Sequence, residues 1–332
     1  MVPALKYWLF ALILLSTGEA LAGNLNNGVA PGARPVSGKI SEWPVPQTSK
    51  HARDPAVGPD GSVYFTARAS DKIARFDPKS RTFQEWEVPA GMRPRGLLVS
   101  SDNRVIFGGS GNGTIGELDP SSGKVKLYKI PSNEGDPYTL VFDAEENVWF
   151  TQRLAGKLAK LERASGKITE YPIGDDPYSL SLDKRGHVWV SRKSADRFAR
   201  LDPKTGQVTE LTLAKGSQPR RTTVAPDGML WVTFYGSGKL AKIDPSAFRV
   251  AKEYDLPGGP NAGPYAVNAD ADGRIWVSET QTNNVIMLDP RSGAMRVFRL
   301  PTRDSVVRKA AIDADGRYWY LGSNSGKLGV IE

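Results

Sequence analysis

A unit that recurs seven times between Ile40 and the end of the chain constrains the fold more than any other feature. Each copy contains a short apolar run, and the central residues of the seven runs are Tyr64, Ile106, Trp149, Trp189, Trp231, Trp276 and Trp319. These centres lie 40 to 45 residues apart, which is typical of a four-stranded propeller blade. The 34 glycines and 24 prolines of the 332 residues suit many short strands joined by turns. The sequence therefore predicts an all-β, seven-bladed β-propeller.

The two ends of the repeat predict how the ring closes. The last copy stops after its third strand (KLGVIE, 327–332), and the first strand-like run (ISEWPVP, 40–46) has no blade of its own. If this N-terminal strand completes the last blade, no edge is left open at the seam. An open solenoid would instead need polar caps, which the sequence lacks. We therefore predict one propeller domain over residues 40–332.

The N-terminus has the features of an export signal. Lys6 precedes an apolar core, and Ala20-Leu21-Ala22 forms a small-residue cleavage site. The apolar core is too short for a permanent membrane anchor, although an uncleaved anchor is the alternative. We predict a signal peptide over residues 1–22, a flexible linker over 23–39, and a periplasmic or secreted protein that is a monomer.

Composition excludes several classes of site. The chain has no cysteine and two histidines, His51 and His187, so thiolate chemistry and three-histidine metal sites are impossible. The net charge is +8, but the basic residues are spread along the chain rather than gathered in a run. A nucleic-acid partner is therefore not expected, and a local anion site is favoured.

The repeat also predicts which side chains meet in the central channel. The residues eleven positions before the seven centres are Arg53, Arg95, Tyr138, Tyr178, Arg220, Tyr265 and Arg308. Equivalent positions in a closed ring face one axis, so four guanidinium groups and three phenols should converge. Arginine forks bind carboxylate, sulfate or phosphate oxygens, and tyrosine adds a hydroxyl and a flat wall. We predict an acidic small molecule or peptide as ligand; the alternative is a solvated ring paired with nearby acids.

A second ring lies three residues after each centre, and Glu279 is its single acid. One carboxylate makes a poor metal site, so we predict that Glu279 pairs with a ring arginine and contributes to the ligand site. His51 lies two residues before Arg53, close to the predicted channel mouth, and is therefore a possible general base. Ser191 and Ser278 have no His–Asp partner set in sequence, which argues against a hydrolase triad.

The repeated units resemble those of the virginiamycin B lyase family. The resemblance rests on segments such as VWFTQ (148–152), GKLAKL (156–161) and ITEYPI (168–173), and it extends from Ile40 to Glu332. It implies a seven-bladed propeller whose N-terminal strand completes the last blade. The family chemistry that it implies is the opening of a cyclic depsipeptide lactone by elimination. That chemistry uses a Mg²⁺ ion held by acidic residues, two histidines and a tyrosine at the channel mouth.

This chain carries other residues at the matching positions. The family tyrosine of the first blade matches Arg53, and the histidine of the sixth blade matches Tyr265. The family Glu-Pro-His matches residues 306–308 (Val-Val-Arg), and its metal-binding glutamate falls near Gly322 or Ser323. Without these groups the base and the metal site are missing, so we predict no metal and no other cofactor.

Three functions stay open at this point. The first is an exported protein that binds an anion through the Arg/Tyr ring. The second is an active enzyme, either a carbon–oxygen lyase of the streptogramin lyase type or a lactone-directed hydrolase, that uses His51, Glu279 or an unrecognised metal site. The third is a platform for protein interactions. The shared fold does not choose between them.

Overall fold

The computed structural model describes residues 36–332, and within them the chain forms 28 β-strands and two short 3-10 helical turns (Arg68–Ser70 and Lys193–Ala195). The predicted signal peptide and residues 23–35 of the predicted linker lie outside the described residues. No helix in residues 36–332 is long and apolar enough to cross a membrane.

The first four blades follow one another along the chain. Blade 1 contains β2 (Ala52–Val57), β3 (Val63–Ala67), β4 (Lys72–Asp77) and β5 (Thr82–Glu87). Blade 2 contains β6 (Pro94–Val99), β7 (Val105–Gly109), β8 (Thr114–Leu118) and β9 (Val125–Lys129). Blade 3 contains β10 (Pro137–Phe142), β11 (Val148–Gln152), β12 (Lys157–Leu161) and β13 (Ile168–Pro172). Blade 4 contains β14 (Pro177–Leu182), β15 (Val188–Arg192), β16 (Arg197–Leu201) and β17 (Val208–Thr212).

The last three blades include the seam of the ring. Blade 5 contains β18 (Pro219–Val224), β19 (Leu230–Phe234), β20 (Lys239–Asp244) and β21 (Arg249–Asp255). Blade 6 contains β22 (Pro264–Ala269), β23 (Ile275–Glu279), β24 (Asn284–Leu288) and β25 (Met295–Arg299). Blade 7 contains β26 (Val307–Ile312), β27 (Tyr318–Gly322), β28 (Lys327–Ile331) and, as its outer strand, β1 (Ile40–Pro44).

The ring closes as the sequence predicts. Each blade is an antiparallel sheet of four strands, and each innermost strand contacts the innermost strands of both neighbouring blades. Strand β1 pairs with β28 in a register that places Ile40 opposite Ile331. The contact continues into the end of the predicted linker, where Gly38 N donates to Glu332 O at 2.6 Å and Glu332 N donates to Lys39 O at 2.9 Å. The seven-bladed propeller and its 3+1 closure are confirmed.

The core lies between adjacent blades, and the second strand of each blade supplies most of it. Trp189, Trp231 and Trp276 are fully buried on these strands. Trp276 stacks on Phe298 of its own blade and on Tyr318 of the next, with ring centroids 5.4 and 5.2 Å apart. Because every blade buries both faces against neighbours, the ring holds its innermost strands in fixed positions around the channel.

An aspartate six residues before the tryptophan binds the indole N–H in three blades. Asp183, Asp270 and Asp313 accept from Nε1 of Trp189, Trp276 and Trp319 at 2.7 to 3.0 Å. In blade 5 this position is Ala225, and Nε1 of Trp231 is buried without a partner. The pair thus satisfies a buried donor in blades 4, 6 and 7.

We expect Asp270→Ala to lower the free energy of unfolding by about 2–3 kcal/mol, because it leaves the Trp276 indole N–H and the Arg274 guanidinium without their buried acceptor. Asp272→Ala removes a surface partner of the same arginine and should change stability by less than about 0.5 kcal/mol. Urea unfolding of both variants measures the difference. Equal stabilities would contradict a structural role for the buried aspartate.

Candidate functional site

The seven residues predicted to line the channel occupy one structural position. Each is the second residue of an innermost strand, and we call the set the mouth ring: Arg53, Arg95, Tyr138, Tyr178, Arg220, Tyr265 and Arg308. The shared position follows from the repeat, since five of the seven come directly after a proline that begins the strand. The seven residues therefore share one strand position, while their role in ligand binding stays a prediction.

A β-bulge follows the mouth ring in every blade. The pairing of the first two strands shifts register at this point in all seven sheets. A bulge allows two successive side chains to project towards the same side. The residues that follow the mouth ring form a second set, which we call the inner ring: Asp54, Gly96, Thr139, Ser179, Arg221, Ala266 and Lys309.

Hydroxyl groups on the second strands hold these bulges. In blade 4 the Ser191 hydroxyl accepts from Ser179 N at 3.1 Å and donates to the carbonyl of Arg220 in blade 5 at 2.5 Å. Ser278 makes the equivalent contacts, accepting from Ala266 N and donating to Val307 O. These serines therefore fix the backbone around the mouth rather than serve as nucleophiles.

The three tyrosines of the mouth ring meet at the centre. Tyr138, Tyr178 and Tyr265 are 4, 3 and 5% exposed. Tyr138 donates to the Tyr178 hydroxyl at 2.7 Å, and the hydroxyls of Tyr178 and Tyr265 are hydrogen-bonded to each other. The phenols thus form a buried cluster across the channel mouth, which we call the tyrosine cluster.

The charge around the tyrosine cluster separates the pKa values of its members. Burial raises the pKa of Tyr138 and raises that of Tyr178 well above 10.0. Burial also raises the pKa of Tyr265, but the positive charges of Arg221 and Arg220 and the hydrogen bond from Tyr178 outweigh it and lower the pKa to about 8. Tyr265 is therefore the phenol of the cluster that ionises first.

Arginines stack on the tyrosine cluster from two sides. The Arg220 guanidinium lies 3.5 Å from the ring centroid of Tyr235 and 4.6 Å from that of Tyr265. On the other side, Arg95 and Arg153 lie 4.5 and 4.9 Å from the Tyr138 ring centroid. Such cation–π contacts hold the guanidinium planes in place.

Blades 1 and 2 carry a group of arginines that form no ion pair within residues 36–332. Burial and the nearby charges of Arg95, Arg53 and Arg93 lower the pKa of Arg68. The Nε atoms of Arg53, Arg68 and Arg95, and that of Arg220 in blade 5, are buried without a hydrogen-bond partner in the described chain. None of these four arginines forms an ion pair with a carboxylate of residues 36–332.

Asp136 is the acid among these arginines. Burial raises its pKa, although the positive charges of Arg95, Arg153 and Arg68 oppose the shift. Arg153 itself pairs with a different acid, Asp176, at 2.8 Å. One carboxylate therefore faces several arginines, and the mouth keeps an excess of positive charge.

Glu279 does not pair with an arginine, contrary to the prediction. Its carboxylate is buried and accepts from Gly258 N at 2.8 Å, from the Thr282 hydroxyl at 2.5 Å and from the Asn284 amide at 3.3 Å. Glu279 ends β23, and its side chain holds the loop before β22 through Gly258 and the turn after β23 through Thr282. Glu279 is therefore removed from the candidate ligand-binding set.

The remaining candidates lie in different surroundings. The Arg308 carbonyl accepts from Arg221 Nε at 3.3 Å, and within residues 36–332 its guanidinium has no ion pair. His51 is exposed, with a left-handed backbone (φ 54°). Neither residue is part of the tyrosine cluster.

Three residues of the mouth were not predicted from the sequence. Arg68, Arg153 and Tyr235 lie four residues after the centres of blades 1, 3 and 5, one position beyond the ring that contains Glu279. Counting four residues forward instead of three would have found them. The inner ring was missed for another reason, because regular strand alternation places residues such as Arg221 on the opposite face.

The mouth does not fit the Mg²⁺ ion that the family resemblance implies. Mg²⁺ prefers several oxygen ligands, and no three Asp, Glu or His side chains are grouped for metal binding anywhere in residues 36–332. Asp54 already accepts from Gly96 N and lies 3.7 Å from Arg221. The donor set at the mouth is cationic and phenolic instead.

Comparison with known proteins gives a family match along the whole propeller. The sequence profile of the Virginiamycin B lyase family matches residues 31–176 and 174–332. No protein of curated function matches the chain.

Solved structures share the fold. A streptogramin B lyase is 26% identical, with a TM-score of 0.81 over 88% of this chain and 96% of that chain. A catalytically inactive virginiamycin B lyase from Staphylococcus aureus with quinupristin is 22% identical, with a TM-score of 0.80 over 88% and 98%. The extracellular domain of BT4673 from B. thetaiotaomicron is 17% identical, with a TM-score of 0.68 over 89% of this chain and 43% of that one.

We expect the near-ultraviolet absorbance of tyrosinate to show a step with a midpoint of about 8 that is lost in Tyr265→Phe. The pKa of Tyr265 lies below its usual 10.0, so folding favours the ionised form, and the stability from this group grows between about pH 8 and 10 and is lost as the pH falls through 8. Tyr318→Phe, which removes a buried phenol away from the mouth, serves as control and should keep the step. A step unchanged in Tyr265→Phe would contradict the assignment.

Proposed function

The chain belongs to the virginiamycin B lyase family, and we propose that it binds an anionic small molecule or an acidic peptide at the channel mouth. The observation that carries this proposal is the set of four arginines, Arg53, Arg68, Arg95 and Arg220, none of which forms an ion pair with a carboxylate of residues 36–332. Guanidinium groups that lie near one another repel. A carboxylate, sulfate or phosphate offsets this repulsion and accepts hydrogen bonds from the arginine forks.

The surroundings of these arginines favour a ligand with an apolar part as well as a negative charge. Tyr235 is half-buried beneath Arg220 and offers a ring face at the mouth. Leu154 follows Arg153 directly and is 70% exposed. A peptide carboxylate or a substituted organic acid can use both kinds of contact, whereas a bare inorganic ion uses the arginines alone.

Isothermal titration with citrate and with triglutamate, at low ionic strength, tests the proposal. We expect both probes to bind the wild-type protein, and Arg95→Ala and Arg220→Ala each to weaken binding by about tenfold or more, because each removes a charge-assisted hydrogen bond of about 1.5–3 kcal/mol. Arg291→Ala is the matched control, since this arginine is 79% exposed on another part of the ring, and it should bind as the wild type does.

The proposal fails if neither probe binds, or if both mouth variants keep wild-type affinity. Melting temperatures of the four proteins accompany the titration, so that loss of binding is separated from loss of fold. Added salt should weaken binding to the mouth, since screening acts on exposed charges.

We also propose that the protein acts outside the cytoplasm. The support is the sequence of residues 1–22, with a basic start, a short apolar core and an Ala-Leu-Ala cleavage site. Fractionation of cells that express the full chain, with mass determination of the mature N-terminus, tests this. A protein retained in the cytoplasm with residues 1–22 intact contradicts it.

A second candidate function is an elimination at the same mouth, and the Tyr265 phenol favours it. With a pKa of about 8, a fraction of this phenol is phenolate at neutral pH and can act as a base. It would take a proton from the carbon next to the one that bears the ester oxygen. A C=C bond then forms, the C–O bond breaks, and the arginines receive the released carboxylate.

Incubation with quinupristin, followed by mass spectrometry and chromatography, tests this second candidate. Elimination gives a ring-opened product of unchanged mass, whereas hydrolysis adds one water. If the protein is a lyase, Tyr265→Phe should lower the rate about 100-fold or more, and Tyr318→Phe should keep it. Absence of turnover contradicts the proposed elimination. It does not affect the binding proposal, which is tested separately by titration.

A further inference from the structure

A cavity of the channel lies below the tyrosine cluster. The inner strands of blades 3 to 7 line a volume of about 40 Å³, room for a few water molecules or one small ion. Its polar lining consists of Thr139, Ser179, Arg221, Thr222, Asn268 and Lys309. Two of these residues are cations, and none of the residues that line the cavity is an acid.

Arg221 crosses the channel between this cavity and the tyrosine cluster. Its side chain is buried, Nη1 donates to the Thr139 hydroxyl at 2.6 Å, and Nε donates to the Arg308 carbonyl at 3.3 Å. Its guanidinium carbon lies 5.5 Å from the Tyr138 ring centroid. The cation is thus held from blades 3, 5 and 7 at one end of the cavity.

Lys309 supplies the second cation. Its Nζ donates to the Leu97 carbonyl at 2.9 Å, which leaves two of its three N–H groups without a partner in the described chain. Burial lowers its pKa to about 8, with Asp54 opposing and Arg221 adding to the shift. Lys309 is therefore largely protonated at neutral pH.

The charges around the cavity do not balance. Asp54 is the buried acid beside these cations; it lies 3.7 Å from Arg221 Nη2 and holds the Gly96 N–H, but it is not part of the cavity lining. One carboxylate against two cations leaves one buried positive charge without a counter-ion, and such a charge destabilises the fold.

Further hydrogen-bond donors face the same space. Ser179 Oγ accepts from Thr222 N at 3.3 Å, and its own hydroxyl hydrogen is free within residues 36–332. Asn268 is 3% exposed, and one of its amide hydrogens goes to the Ala310 carbonyl, which leaves the other amide hydrogen as a donor. Donors without a partner favour an occupant that accepts hydrogen bonds.

We propose that this cavity binds a small monovalent anion, such as a halide, between Lys309 and Arg221. The anion supplies the missing negative charge and accepts from the free lysine and serine donors. The site is separate from the mouth, since the tyrosine cluster and Arg221 lie between them, and it does not depend on the ligand proposed there.

Crystals of the wild-type protein soaked in sodium bromide test the proposal, because anomalous scattering locates bromide directly. We expect a peak in the cavity next to Lys309 Nζ. In solution, sodium bromide at pH 7 should raise the melting temperature by about 2 °C relative to sodium gluconate, whose anion is too large for the cavity. Lys309→Met should lose both the peak and the bromide effect, and Arg291→Ala, at an exposed arginine outside the channel, should keep both.

Ser179→Ala provides a second, milder variant if Lys309→Met does not fold, and it should need several-fold more bromide for the same shift. Water alone in the cavity of the soaked wild-type crystal overturns the proposal. A bromide peak confined to the mouth arginines, or an equal peak in Lys309→Met, also overturns it.

Discussion

The arrangement of the channel depends on the β-bulge at the start of every innermost strand. Without a bulge, the residue after the mouth ring would point to the opposite face of the blade, as strand alternation requires. With the bulge, Arg220 and Arg221 both reach the channel, one over the Tyr265 ring and one beneath Tyr138. Each blade thereby contributes two successive side chains to the axis.

The second strand of the blade supplies the hydrogen bonds that the bulge would otherwise lack. A bulged N–H loses its ladder partner, and in blades 3 to 6 a serine or threonine hydroxyl replaces that partner. In blades 4 to 6 the same hydroxyl also binds a carbonyl of the next blade. One small side chain thus holds both the bulge and the spacing between blades, so the channel geometry is as rigid as the ring.

Burial and charge act together on the channel side chains. The tyrosine cluster covers Arg221 and separates it from the mouth, where Arg220 stacks on Tyr235. Buried phenols around guanidinium groups replace water as the surroundings of the charge. Arg221 and Arg220 favour the ionised form of Tyr265 and lower its pKa, whereas burial raises the pKa of Tyr178.

The sequence predicted the fold, the closure and the register of the mouth ring because each follows from a repeat that can be counted. It did not predict Arg221 or Lys309, because a bulge breaks the alternation on which counting rests. It was wrong about the pairing of Glu279, because its partners, Gly258 and Thr282, belong to loops that carry no repeat signal.

The backbone beside the mouth ring is set independently of the side chain. Val306 has a left-handed backbone (φ 52°), although β-branched residues avoid this region. His51, Arg93 and Asp176 lie at the equivalent position of other blades and are also left-handed. Six blades impose this conformation, on residues as different as Val306, His51 and Gly263, at a cost of about 1–2 kcal/mol where the residue has a Cβ. The side chains around the mouth can therefore be exchanged while the ring that presents them stays the same.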